Sequence, residues 1–233
     1  GDAGKREKIP QTDFSYDALT TSYAFKNDEV SLGLRFLSPL LPDNLEIMTR
    51  PVSYLMLACT TADGSPAEIK ISASEELCLN LRGEGTVAGE TVAFRGGKAV
   101  KMGNTEQKPL WRSGDNVRID WGYFYLAARG DADTSFIDGS DGMKYAVLKK
   151  TVKSGENALI MFAYDDTESI EYFGKRLRSV WNSKGKTIEE ALTNAVEDWL
   201  KLHSFAAAFS IRLKMEATAA GGEKYADMLA LAW

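Results

Sequence analysis

The chain has 233 residues, 44% of them hydrophobic, 26% charged and 10% aromatic. That length buries roughly 70% of the unfolded surface, and the composition is too ordinary for disorder or low complexity. A formal net charge of −5, without any block of five or six Lys or Arg, argues against nucleic acid or an anionic lipid surface as partner. The longest apolar runs, Tyr54 to Cys59 and Phe205 to Phe209, fall far short of the ~20 residues that cross a bilayer, so no membrane insertion is expected. The chain opens at Gly1 without Met or a signal-like segment, which suggests a processed end.

From about residue 20 to 164 the dominant period is two, the mark of strands with one buried face. Leu32, Leu34 and Phe36 alternate with Ser31, Gly33 and Arg35. Leu55, Leu57 and Cys59 follow, then Ile69 and Ile71, then Leu77, Leu79 and Leu81. Glycine-rich turns separate further strands at Thr91 to Arg95, Lys98 to Lys101, Val117 to Ala128, Tyr145 to Val152 and Asn157 to Tyr164. About ten short strands without helices between them predict an antiparallel β-sandwich, mainly β, rather than a parallel α/β sheet.

After Tyr164 the pattern becomes helical. Asp165 and Glu168 have capping-box spacing and Gly174 closes the segment, predicting a short helix near 166–174. A second helix starts at Thr187, whose hydroxyl caps while Glu190 returns three residues on. Its stripe is Ile188, Ala191, Leu192, Ala195, Val196, Trp199 and Leu200. Helical composition continues to Ala220, breaks at Gly221-Gly222 and resumes with Tyr225, Met228, Leu229 and Ala232 on one face. That last stripe is uncapped at Trp233, so the natural chain is expected to continue into a helical domain. The expected division is a β-sandwich over 1–183, then linker helices over 184–233 that begin a truncated helical domain.

Chemistry-bearing residues are sparse. The single His203 lies one turn past Trp199 and reads as packing. Cys59 and Cys78 sit in apolar stretches and are expected as buried free thiols. No P-loop, nucleophile elbow or zinc spacing occurs, and neither metal nor cofactor is expected. Two stretches stand out. In Arg112-Ser-Gly-Asp-Asn-Val-Arg-Ile-Asp-Trp-Gly-Tyr-Phe-Tyr125, a strand would place Val117, Ile119, Trp121, Tyr123 and Tyr125 on one face and Arg118 beside Asp120 on the other. The aromatic ladder serves either as core or as a sugar-stacking or interdomain surface. In Ala163-Tyr-Asp-Asp-Thr-Glu-Ser-Ile-Glu-Tyr-Phe-Gly174, the acids Asp165, Asp166, Glu168 and Glu171 suit helix capping. Capping accounts for most of them, while their oxygens could also suit Ca²⁺ or a general acid/base pair.

These two stretches, with Phe36-Leu-Ser-Pro-Leu-Leu-Pro-Asp-Asn-Leu45, Arg50-Pro-Val-Ser-Tyr54 and Gly221-Gly-Glu-Lys-Tyr-Ala226, resemble the N-terminal part of the glutaminase A-like proteins of bacteria and fungi, in order from about residue 10 to 233. The resemblance implies a β-sandwich region of unassigned function ahead of a helical domain of toroid type. It further implies hydrolysis of glutamine to glutamate and ammonia by the parent protein, and an extracytoplasmic location (periplasmic, cell-surface or secreted). One departure is Ser210 after Phe209, where the family often has Asp.

The reading is therefore a non-catalytic domain that packs on its own downstream helical domain. Asp120, Trp121, Tyr123, Asp165, Asp166 and Glu168 would contribute to the rim of a substrate site, with glutamine or a sugar as ligand. The alternatives are an accessory β-sandwich of a glycoside hydrolase and a stand-alone carbohydrate-binding module using Trp111, Trp121 and Tyr123.

Overall fold

A computed structural model describes residues 8–233. The chain is mainly β, its sheets antiparallel throughout, with a helical C-terminal part. The strands are β1 (Gln11–Tyr16), β2 (Thr20–Lys26), β3 (Val30–Leu37), β4 (Val52–Thr61), β5 (Ala67–Ser74), β6 (Val87–Phe94), β7 (Gly97–Asn104), β8 (Tyr123–Arg129), β9 (Asp133–Asp138), β10 (Lys144–Val152), β11 (Asn157–Asp165), β12 (Ile170–Tyr172) and β13 (Lys175–Leu177). The helices are α1 (Leu45–Thr49), α2 (Ile188–Gly221) and α3 (Glu223–Ala232).

An eight-stranded sheet runs in the order β1-β2-β3-β4-β11-β8-β7-β6, and a three-stranded sheet in the order β5-β10-β9. Because side chains alternate across a strand, each central strand feeds two cores. From β4, β8 and β11, the residues Leu55, Phe124, Leu126 and Ile160 meet Ala146 and Leu148 of the small sheet. Their neighbours Tyr54, Tyr125, Leu159 and Met161 face Leu192, Ala195 and Trp199 of α2. The result is three layers: small sheet, large sheet, helix.

Helix α2 begins as its sequence predicts. Thr187 accepts from the Glu190 N–H at 3.3 Å, and the Glu190 carboxylate accepts from the Thr187 N–H at 2.8 Å. Its buried stripe runs through Ile188, Ala191, Leu192, Ala195 and Trp199 to Leu202 and Ala206. Leu200, expected in the stripe, is instead 75% exposed. The chain breaks at Gly222 and resumes as α3.

Four expectations are corrected. The β region starts earlier, because β1 pairs with β2 ahead of residue 20. Leu77, Leu79 and Leu81 are not a strand: Glu75–Cys78 is a 3-10 turn. It buries the adjacent residues Cys78 and Leu79 while leaving Leu77 and Leu81 exposed, which one face of a strand cannot do. Residues 117–122 are loop, and the strand begins at Tyr123.

The expected helix near 166–174 is an Asx-type turn followed by the β12–β13 hairpin. The Asp165 carboxylate accepts from the Thr167 N–H at 3.0 Å and turns the chain out of helical register. Phe173 and Gly174 both have positive φ, 47° and 73°, the geometry of a two-residue hairpin loop.

The two thiols are free and buried, Cys59 and Cys78 lying in different apolar clusters. Among the described residues no helix is long and apolar enough to cross a membrane.

Candidate functional site

The site residues expected from the sequence converge on one end of the large sheet, where β8 begins and β11 ends. Tyr123 and Asp165 are direct cross-strand partners there. The loop before Tyr123 lies against the turn after Asp165 at Gly122, which has φ +80°, and a Cβ added there would stand 2.3 Å from the Asp165 carbonyl oxygen. No side chain fits at that approach. The Tyr164 hydroxyl donates to the Trp121 carbonyl at 2.8 Å, and Gln107 holds Gly122 from the other side, accepting from its N–H and donating to its carbonyl.

Convergence in space does not make one cluster of free groups. Asp120 is buried and committed: its carboxylate accepts from Trp111 Nε1 at 3.0 Å and from Arg112 Nε at 2.9 Å. Arg112 also donates to Glu84 at 3.1 Å, and Asn80 bridges Glu84 and the Arg118 N–H. Arg118, expected beside Asp120 on one strand face, does not pair with it; Arg112 does. The Arg118 backbone is held by Asn80 while the loop turns Asp120 towards Arg112. Glu168 pairs with Arg176 across the hairpin at 3.4 Å, with Glu171 also near that guanidinium.

On the helix side of the sheet lie Tyr123 and Asp165. Lys101 Nζ sits 4.2 Å above the Tyr123 ring, an electrostatic contact with the ring face. Lys101 and Tyr123 line a shallow cleft of about 410 Å³ with Glu90 and Asn104. Burial pushes the Asp165 carboxyl up from its ordinary pKa, with the neighbouring Asp166 adding to the shift and the Thr167 N–H opposing it. The shift favours the protonated form.

Trp121 Nε1 and the hydroxyls of Thr167 and Ser169 are buried without a hydrogen-bond partner among the described residues. No three His, Cys, Asp or Glu among the described residues come together to hold a metal ion.

Of the aromatic set expected to stack on sugar, Trp111 is 49% exposed, but Arg112 lies 4.2 Å and Lys108 5.2 Å from its ring centre. A more open aromatic surface lies elsewhere and was not singled out from the sequence. Beyond the edge of the small sheet, Phe14, Tyr16, Tyr23 and Phe36 contact one another on β1–β3, with ring centres 5.2 to 6.2 Å apart. Phe14 and Tyr16 at i, i+2 were the available signal. His203 packs 5.5 Å from Trp199, as its spacing suggests.

The architecture defines an antiparallel β-sandwich domain backed by a long helix that continues into a helical hairpin. Residues 19–156, more than half of the chain, match the family described as Domain of unknown function (DUF5127), and the chain belongs to that family. It is also 22% identical over 265 aligned positions to glutaminase A of Aspergillus oryzae (strain ATCC 42149 / RIB 40), covering 96% of this chain and 37% of that protein. The chain therefore spans little more than a third of the curated relative it matches. Among solved structures, one described as "Putative kojibiose phosphorylase from human microbiome" superposes with a TM-score of 0.39 at 10% identity, over 86% of this chain and 23% of that one.

Proposed function

We propose that this chain is the non-catalytic β-sandwich and linker part of a larger, exported glutaminase A-like hydrolase, whose helical domain of toroid type packs on α2 and α3. The observation that carries the reading is the outward face of the helical hairpin: Ile211, Met215, Met228 and Leu231 are each more than 60% exposed. Uncovered apolar side chains in that number on one hairpin call for a partner surface. The partial span of the fungal relative supplies room for such a partner in the same polypeptide. Trp121, Tyr123, Asp165 and Asp166 are the rim residues in this reading, since Asp120 and Glu168 are already engaged by arginines.

The test is ammonia release from glutamine, measured for the 233-residue chain and for the same chain extended to the length of its relative, with glycosides as a second substrate panel. Activity on glutamine in the extended protein alone is the expected result. Activity on a glycoside instead would sink the amide reading. Fractionation of the native host tests the extracytoplasmic location.

A second reading, a carbohydrate-binding module, draws on the Phe14–Tyr16–Tyr23–Phe36 surface, with Tyr23 half-buried between three exposed rings, because aromatic faces offer flat apolar area with little entropy to lose. Retention of polysaccharide by the isolated chain, abolished by Tyr23→Ala with the fold intact, would favour it.

A further inference from the structure

At the far end of β8, roughly 20 Å from Tyr123 at about 3.3 Å per residue, a groove of about 590 Å³ opens between α2 and the ends of β8, β10 and β11. Its volume lies within the ~300–1,000 Å³ range of small-molecule sites.

One wall is apolar, made by Trp199, Leu200 and Met56, while Arg129 and Lys150 line the other. Lys150 Nζ donates to the carbonyl oxygens of Arg129 at 3.0 Å and Asp131 at 2.6 Å, so its ammonium is fixed and its position is tied to the Arg129 backbone. The Arg129 guanidinium has no hydrogen-bond or ion-pair partner among the described residues. Neither acid of this region forms an ion pair with it: Asp131 is paired with Lys98 at 2.9 Å, and Glu156, a carboxylate that also lines the groove, lies 3.7 Å from Lys153.

In a protein of net charge −5, two cations line one groove that also has an apolar wall, one anchored to backbone carbonyls and the other unpaired, and such a lining is complementary to an oxyanion. Guanidinium binds such groups through a planar fork, and ammonium as a point charge.

We propose that this groove binds a small molecule bearing a phosphate or carboxylate group, the oxyanion held by Arg129 and Lys150 and the remainder of the molecule lying against Trp199 and Leu200.

The test is a calorimetric titration of the whole chain with four probes: inorganic phosphate, glucose 6-phosphate, succinate and glucose. Saturable binding of at least one oxyanion is expected, with none for glucose. Preference for the phosphates or for succinate identifies which oxyanion the site takes.

Arg129→Ala, an exposed strand-end change, should weaken binding at least tenfold while leaving the melting temperature unchanged. Leu200→Glu, on the exposed wall, should weaken glucose 6-phosphate more than inorganic phosphate. Absence of saturable oxyanion binding at millimolar concentration, or equal affinity in folded Arg129→Ala, would overturn the proposal.

Discussion

The Arg112 guanidinium and the Asp120 carboxylate meet at 2.9 Å, with the acid side chain 6% and the arginine 26% exposed. This pair closes the loop of residues 105–122 on itself, with Trp111 donating to the same carboxylate, and Arg112 ties the closed loop to the body of the protein through Glu84. Asp120 thus serves the position of its neighbours Trp121 and Gly122. Removing one partner of a buried pair leaves the other uncompensated. Asp120→Ala should cost about 3 kcal/mol, the low end of that class because Arg112 keeps some contact with water. Urea unfolding measures it, and an unchanged midpoint would show that the pair does not hold the loop closed.

Gly122 marks where the two signature stretches touch. Gly122→Ala combines a left-handed backbone with a methyl group 2.3 Å from the Asp165 carbonyl oxygen, so it should cost at least about 2 kcal/mol. Amide chemical-shift changes should centre on residues 120–123 and 164–168. A variant as stable as the parent would mean that the two loops separate easily.

Burial pushes the Cys78 thiol up to about 12. The folded state therefore keeps its proton where the unfolded thiol, near 8.5, has lost it. Below that unfolded value the group is protonated in both states and contributes no pH dependence. As pH rises above it, stability falls by about 1.4 kcal/mol per unit until the folded pKa is reached. The difference in stability between the parent and Cys78→Ala, measured by urea unfolding from pH 7 to pH 10.5, should shrink accordingly. A difference independent of pH would contradict the assignment.

Ser210 donates to the Asp17 carboxylate at 2.8 Å and ties α2 to the β1–β2 turn. Ser210 is buried while Asp17 is exposed, so Ser210→Asp would bury a carboxylate beside a second one, and burial and like charge would both raise the pKa of the introduced acid. A raised pKa means that stability is retained in acid and lost as pH rises. The variant should therefore be about 1–3 kcal/mol less stable than the parent at pH 7, with most of the deficit gone near pH 4. Thermal unfolding at the two pH values decides it.

Much of the fold was legible because its signals are local. Period-two alternation marked β3, β4, β10 and β11, and the Thr187–Glu190 spacing marked the start of α2. The paired motifs around Trp121 and Tyr164 carried the resemblance to the glutaminase A-like proteins. The same local reading failed where a distant partner overrides the pattern. Residues 165–174 carry the acids and glycine of a capped helix, yet Asp165 satisfies a turn and Tyr172 pairs with Lys175. Residues 117–122 alternate like a strand, yet Asn80 and Arg112 hold them as a loop.

The sequence by itself determined that the chain is mainly β, where its long helix begins, that its cysteines are buried, and which family it resembles. These follow from the spacing of neighbouring residues and from extended motifs. Only the tertiary structure decided that Asp120 belongs to Arg112, that the small sheet leaves the aromatic side chains of β1–β3 uncovered, and that Arg129 and Lys150 share one groove. Each of those facts depends on which strands lie side by side, as when β4 pairs with β11 about a hundred residues away. Such neighbours are chosen by burial of whole faces, and no short stretch of sequence contains that choice.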